Sequence, residues 1–447
     1  MIETRARKIL LAAVVAAFSA PVQAEDLTEI FRQAQQRDAQ YGAARAARDA
    51  VTERAAQGLA QLLPGVNLSA GRTETDQDVT TPAIDTSYRY GTNAYSLTLS
   101  QPIYRKQNFA TYEQGKADAA RANFELAGAS QDLILRVAGT YFNVLAAQDV
   151  YEFSIAEKDA VGRLLTLTRR NASVGLGTII DVHDAQSTYD LTVAQEIEAS
   201  NALEVRREAL RVLTGQPPGT LARLIQPLPL EPPQPMQVEK WEEAARADNP
   251  RVLAQVQAVE SAMQELEKNR GGHYPTLDLS ASHAYNDAGG SVQGFALETR
   301  TNQVGLLFNL PLYQGGGTQS RVREAAARQD EANQRLEQLR RESALGARDA
   351  HAAVRNGLAR VQALERALAS NRRALESTVL GYERGVRNAQ DVLIAQRLLF
   401  RTRRDLAEQR YLYLQARLRL KAAVGMLAEN DIDEVNRLLG YAPAAPP

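Results

Sequence analysis

The sequence predicts a mainly α-helical chain with a small β part: long antiparallel coiled-coil helices suited to an α-barrel, and four membrane-crossing β-strands per chain, arranged as two internal structural repeats. Three observations predict it. Landmarks recur at one offset: Asp181-Val182-His183-Asp184-Ala185-Gln186 returns 210 residues later as Asp391-Val392-Leu393-Ile394-Ala395-Gln396, and Leu63-Pro64-Gly65-Val66-Asn67-Leu68-Ser69-Ala70 returns 211 residues later as Tyr274-Pro275-Thr276-Leu277-Asp278-Leu279-Ser280-Ala281. Each half carries two alternating segments bracketed by prolines, Pro64 and Pro102 in one, Pro275 and Pro311 in the other. Each then runs without proline through a long helical pattern, Phe109 to about Arg170 and Thr318 to Arg384.

The N-terminus is basic at Arg5, Arg7 and Lys8, apolar from Ile9 to Phe18, and ends in small residues at Pro21-Val22-Gln23-Ala24. This predicts a secretory signal peptide over 1–24, because the apolar run is far below the roughly 20 residues that span a bilayer. No later stretch is apolar for long enough to be a membrane helix, so insertion must be by β-barrel. The chain has no cysteine, which excludes disulfides and thiolate metal sites. Its net charge of −1, or −3 without the leader, gives no support for nucleic-acid binding.

Repeat 1 covers 25–216. It opens with a helical stretch from Leu27 to about Leu62, then changes period at Pro64, where Val66, Leu68 and Ala70 alternate with Asn67, Ser69 and Gly71. That is a strand with one apolar face, the first arm of a hairpin over about 65–101. Asp76 to Asp85 reads as its polar loop, and Thr86 to Gln101 as the returning strand. Repeat 2, over 238–428, does the same: helix from Val238 to about Asn269, hairpin over about 276–310, polar loop from Asn286 to Glu298 with Gly289, Gly290 and Gly294. Strands of about ten alternating residues are long enough to cross a membrane when tilted. Tyr88, Tyr90, Tyr95, Tyr104, Tyr285 and Tyr313 suit the headgroup boundary.

At about 1.5 Å per residue the long helices reach on the order of 100 Å, too long to hide in a globule. Val354, Val361, Leu368, Leu375 and Tyr382 are spaced by seven, as are Val392, Leu399, Leu406, Tyr413, Leu420 and Leu427. This spacing predicts two antiparallel coiled-coil helices meeting at a tip near Gly385, and the first half repeats it with a tip near Gly175. Between the halves, 217–237 is rich in proline and reads as an extended linker that cannot be helical. The segment 429–447 reads as a C-terminal tail, disordered from Ala442 onward.

Four strands cannot close a transmembrane barrel, since single-chain barrels begin at about eight. An open edge in lipid leaves backbone groups unpaired at several kcal/mol each. Other copies must therefore close it. Two would supply eight strands, too narrow for a wide pore; three would supply twelve, so the sequence demands oligomerisation and suggests a homotrimer.

With these residues in view, the mature sequence resembles the TolC family of outer-membrane channel proteins. Val174-Gly175-Leu176-Gly177-Thr178-Ile179-Ile180-Asp181-Val182 is similar to the family's first tip, and Tyr382-Glu383-Arg384-Gly385-Val386-Arg387-Asn388-Ala389-Gln390-Asp391-Val392-Leu393 to its second. The resemblance implies a trimer with a twelve-stranded barrel in the outer membrane of a Gram-negative cell, continuous with a helical tunnel extending into the periplasm. It implies a passive exit duct of a tripartite efflux pump or type I secretion system, for small molecules or proteins. The partners would be outer-membrane lipid, a periplasmic adaptor (membrane fusion) protein and an inner-membrane transporter that supplies the energy. No cofactor is called for.

Gly175 and Gly385 free the backbone for a sharp reversal. The resemblance adds adaptor docking by Val174, Gly175 and Leu176 and by Arg384, Gly385 and Val386, with Arg384 standing where the family often has an apolar residue. Asp391 lies in the first turn of its helix, where the helix dipole favours a carboxylate. In a threefold ring it would form an acidic ring at the entrance and attract cations. The family's second acidic ring falls on Ile394, and Asp184 takes the corresponding place in the other half. The family's closure latch maps to Tyr382 and Arg387 bonding Asp181.

Two rival readings follow from the same residues. An enzyme is disfavoured, since His183, His273, His283 and His351 are scattered without paired-ligand spacing, and Gly315-Gly316-Gly317 reads as a strand-to-helix joint because its repeat partner Arg105-Lys106-Gln107 lacks glycine. A periplasmic coiled-coil adaptor or scaffold without a pore would share the leader and the long helices, but has no need of two hairpins of membrane-crossing length.

Overall fold

The computed structural model describes residues 25–82, 84–291 and 295–440. The leader over 1–24, the last residues over 441–447 and Gly294 lie outside the described residues. In chain order the elements are α1 (Leu27–Arg37), α2 (Ala39–Ala60), β1 (Gly65–Thr81), β2 (Ile84–Tyr104), α3 (Lys106–Ser173), α4 (Ile179–Thr214) and β3 (Arg223–Leu224). There follow α5 (Val238–Asp248), α6 (Pro250–Arg270), a 3-10 turn (Gly271–His273), β4 (Thr276–Ala288), β5 (Leu297–Asn309), α7 (Gly317–Glu383), α8 (Ala389–Ala423), α9 (Glu429–Asn436) and β6 (Leu439–Gly440). The chain is thus mainly helical, and α3 and α7 run unbroken for 68 and 67 residues.

Each opening helical stretch, read from the sequence as one helix, is two. Asp38 takes an extended backbone (φ −64°, ψ 116°) and its carboxylate accepts the Tyr41 backbone N–H at 2.6 Å, so it starts α2 afresh. Asn249 is extended as well (φ −62°, ψ 126°), because Pro250 excludes the helical conformation for the residue before it while fitting the first position of a new helix.

The chain divides into two compact units. One comprises 43–128 and 250–342 and contains a four-stranded antiparallel sheet in the order β1-β2-β4-β5. The register aligns apolar residues across the strands: Val66 with Leu99, Leu99 with Ala281, and Ala281 with Val304. Beside this row, Leu279 faces Leu306 and Leu277 faces Phe308. The opposite face is polar, with Asn67 against Thr98, Thr98 against Ser282 and Ser282 against Gln303. Along the apolar face Tyr95 stacks on Tyr285 with centroids 4.9 Å apart, and the Arg300 guanidinium lies 5.6 Å from the Tyr285 ring.

The first hairpin corrects the reading of 76–85 as a loop. Pairing continues from Asp76 opposite Arg89 to Thr81 opposite Ile84. Apolar alternation ends there, but polar side chains on both faces do not interrupt a backbone ladder, and Arg89 donates to Asp76 while Thr80 donates to Asp85 at 3.0 Å. At the other end of the sheet Arg105 binds the buried carboxylate of Asp278 through two contacts of 2.8 and 2.7 Å. Beside the sheet, α2 lies so close to α3 that a Cβ on Gly115 would stand 2.7 Å from the carbonyl oxygen of Arg54.

The other unit comprises 25–42, 129–249 and 343–440 of the described residues. Of the predicted heptad positions, Val354, Val361, Val392, Leu399, Leu406, Tyr413, Leu420 and Leu427 are buried, whereas Leu368, Leu375 and Tyr382 are half-buried. Its largest fully buried side chains are Tyr141 and Tyr413. A buried hydroxyl needs a partner, and both find one in the segment 217–237: Tyr141 donates to the carbonyl of Ala222 at 2.8 Å and Tyr413 to that of Glu231 at 2.6 Å. Burial raises the pKa of both phenols.

That segment is therefore more than a spacer. Leu221, Ala222 and Leu228 are in the core, and β3 pairs with β6. Nor is 429–440 a bare tail: α9 is clamped by Lys421, whose ammonium lies 2.6 Å from Asp431 and 2.8 Å from Glu434. The Asn436 side chain also accepts from the Leu27 backbone N–H at 3.1 Å and donates to Asp26 at 2.8 Å. Ile432, Val435 and Leu439 recur at short spacing and are buried, which gives the segment an apolar face to dock.

Gly115→Ala should force the α2–α3 contact apart and destabilise the protein by about 1–3 kcal/mol, read as a lower melting temperature of the purified protein. An unchanged melting temperature would mean that this backbone approach is looser than the structure has it.

Candidate functional site

Both helical hairpin tips are built on one plan. In the first, the Leu176 backbone N–H donates to the carbonyl of Asn171 at 2.9 Å and Gly175 adopts φ 76°. In the second, the N–H groups of Val386 and Arg387 donate to the carbonyl of Gly381 at 2.8 and 3.1 Å, and Gly385 adopts φ 73°. A positive φ costs glycine little and other residues more, which is why glycine stands at both reversals.

Each returning helix starts on a reciprocal cap. Thr178 Oγ1 accepts the Asp181 N–H at 3.1 Å, and Asp181 Oδ2 accepts the Thr178 N–H at 3.2 Å and its hydroxyl at 2.7 Å. Asn388 Oδ1 accepts the Asp391 N–H at 2.9 Å, and Asp391 Oδ2 accepts the Asn388 N–H at 3.5 Å. Asp181 and Asp391 thus hold helix N-termini as well as placing a negative charge there. Sequence reasoning missed Thr178 and Asn388 as functional neighbours, although a Thr or Asn three residues before an Asp was signal enough.

The structure brings some of the predicted residues together and not others. Arg387 lies 3.7 Å from Asp391, an exposed pair within one tip. Tyr382 packs against a small core containing Val161, Leu164, Leu165, Ala185, Val392 and Leu393, and its hydroxyl accepts from the Asn171 amide at 3.3 Å. Asn171, which the sequence did not single out, thereby adds a polar link to the apolar core that joins the two hairpins. Within the chain, Asp181 bonds to Thr178 and is not bonded to Tyr382 or Arg387.

The tips also expose apolar surface. Val174, Leu176 and Val386 are 62%, 81% and 78% exposed, apolar side chains without cover at the two reversals. Ile394, one helical turn beyond Asp391, is exposed as well. Among the described residues, no group of three acidic or histidine side chains is placed to hold a metal ion.

Sequence comparison matches the family described as outer membrane efflux protein over residues 30–216 and 241–426, one match in each half. The chain belongs to the outer membrane efflux protein family. Among its relatives, the outer membrane protein TolC of Vibrio cholerae is 33% identical over 436 residues, 97% of this chain and 98% of that one. The proteases secretion protein PrtF of Dickeya chrysanthemi is 30% identical over 446 residues, 98% of this chain and 96% of that one. The CmeC outer membrane channel of Campylobacter jejuni shares the fold, with a TM-score of 0.77 over 93% of this chain and 90% of that one, at 17% identity.

As an outer membrane efflux protein, the chain is an outer-membrane channel of an efflux or type I secretion system. No described helix is long and apolar enough to cross a membrane. The sheet face bearing Val66, Leu99, Ala281 and Val304 is apolar where the opposite face is polar, the two-sided pattern of membrane-crossing strands. The adaptor-without-a-pore reading has no support from these relatives.

Removing either cap, by Thr178→Ala or Asn388→Ala, should cost about 1 kcal/mol. The loss should appear as faster hydrogen exchange confined to the first turn of α4 or α8; exchange unchanged in both turns would show that the caps do not hold the tips.

Proposed function

We propose that three copies of the chain close one barrel and act as the passive exit duct of a tripartite machine, with the helical tips as its gated periplasmic entrance. The carrying observation is the sheet order β1-β2-β4-β5, which leaves β1 and β5 with one neighbour each inside the chain. In hydrocarbon those edges must be paired. Three copies give the smallest closed ring of such sheets with room for an aqueous pore. The mass of the protein in detergent should correspond to three chains, and a stable single chain in water without detergent would overturn the reading.

In this duct the exposed Val174, Leu176 and Val386, with Gly175, Gly385 and Arg384 between them, dock a periplasmic adaptor. An inner-membrane transporter supplies the energy, so the duct needs polar latches and no catalytic group. The cargo is proposed to include proteins, as the names of PrtF and of the alkaline protease secretion protein AprF of Pseudomonas aeruginosa state for those relatives.

Asp391 from each copy would ring the entrance, with Ile394 behind it. Tyr382 and Arg387 would close the entrance through Asp181 of a neighbouring hairpin, and Arg387 can exchange partners readily because its exposed pair with Asp391 is worth only about 0–1 kcal/mol. Combining Tyr382→Phe with Arg387→Ser should raise single-channel conductance; a double variant that conducts like the parent counts against the latch. Asp391→Ala should abolish block by trivalent cations, and undiminished block would remove Asp391 from the entrance.

A further inference from the structure

Away from the tips, a cavity of about 570 Å³ opens where α3, α7 and α8 meet the chain around β3. Four arginines line it: Arg223, Arg372, Arg403 and Arg410. Two of them are already fixed by carboxylates. Arg223 donates through both terminal nitrogens to Glu152, and Arg410 donates to Glu365 at 2.8 Å. The other two, Arg372 and Arg403, form no ion pair among the described residues, although the adjacent Arg404 does, to Glu157 at 2.7 Å.

Arg372 is exposed and Arg403 half-buried, its guanidinium 5.2 Å from the centroid of the Phe400 ring, so neither charge is matched by a carboxylate. Burial, together with the like charge of Arg372, lowers the pKa of the Arg403 guanidinium. The Arg410 side chain is 11% exposed, and its buried Nε has no hydrogen-bond partner. The lining includes one carboxyl group, that of Asp149, which accepts the Tyr411 hydroxyl at 2.8 Å and whose pKa burial raises. Phe153 and Leu368 give the wall an apolar part. Guanidinium groups present planar forks that match the geometry of carboxylate and phosphate oxygens, and a volume of this size admits a small organic anion.

We propose that this cavity is a binding site for a small oxyanion of the phosphate or carboxylate class, gripped by Arg372 and Arg403 over a floor held rigid by Arg410 and Arg223. The site lies apart from the tip residues assigned above, so it stands or falls independently of the gating reading.

The test is calorimetric titration of the full chain in detergent with inorganic phosphate and, separately, with citrate, at an ionic strength held constant with chloride. Saturable binding of either anion is expected, weakened at least about tenfold in the variant carrying Arg372→Gln and Arg403→Gln. Arg397→Gln, on the same helix as Arg403 but not lining the cavity, should bind as the parent does. Binding of phosphate alone assigns the site to a free or esterified phosphate, and binding of citrate alone to a carboxylate ligand. Should the double variant not fold, Arg403→Lys, which keeps the charge and loses the fork, is expected to weaken binding in the same sense. Absence of saturable binding by the parent, or equal affinity in parent and variant, would overturn the proposal.

Discussion

The constraint on which this molecule depends is that a peptide group in hydrocarbon must find its hydrogen-bond partner within protein. Four strands satisfy it everywhere except along the outer sides of β1 and β5. The apolar rows running from Val66 to Val304 make lipid the natural solvent of one face, and the Asn67, Thr98, Ser282 and Gln303 row makes water that of the other. A sheet with those two faces and those two edges suits an outer-membrane channel more directly than any individual side chain does.

The helices answer a different requirement, length without a globular core. Seven-residue spacing keeps one seam of α7 and α8 apolar, so burial is distributed along the pair. Where the seam alone does not suffice, buried tyrosine hydroxyls tether non-helical chain: Tyr141 and Tyr413 each satisfy a carbonyl in the proline-rich segment, adding to its buried leucines and its β3–β6 pairing.

Much of this was legible in the sequence, since changes of period from seven to two mark the passage from helix to strand, and prolines mark the joints. What escaped was whatever depends on polar pairing. The ladder from Asp76 to Thr81 has no apolar alternation to betray it, yet its backbone is paired to the end. The segment 429–440 looked terminal because its partners, Asp26 and Leu27, lie at the opposite end of the chain. At the tips, the glycines and the acids could be picked out, but not what the acids bond to. Asp181 Oδ2 engages Thr178, and Tyr382 turns to Asn171, a side chain whose partner lies on the other hairpin.

The contact between Asn436 and Leu27 joins residues 409 positions apart. Non-local closures of this kind are slow to reward, because nearly the whole polypeptide must exist before they can form. A chain delivered N-terminus first therefore carries α1 against α4 but without α9 until that helix arrives, with the cover over Leu27, Ile30 and Phe31 incomplete in the meantime. Such surface invites aggregation or a chaperone's grip. The clasp of α9 on α1 consequently completes that cover, and a prematurely terminated product would leave the first helix partly open.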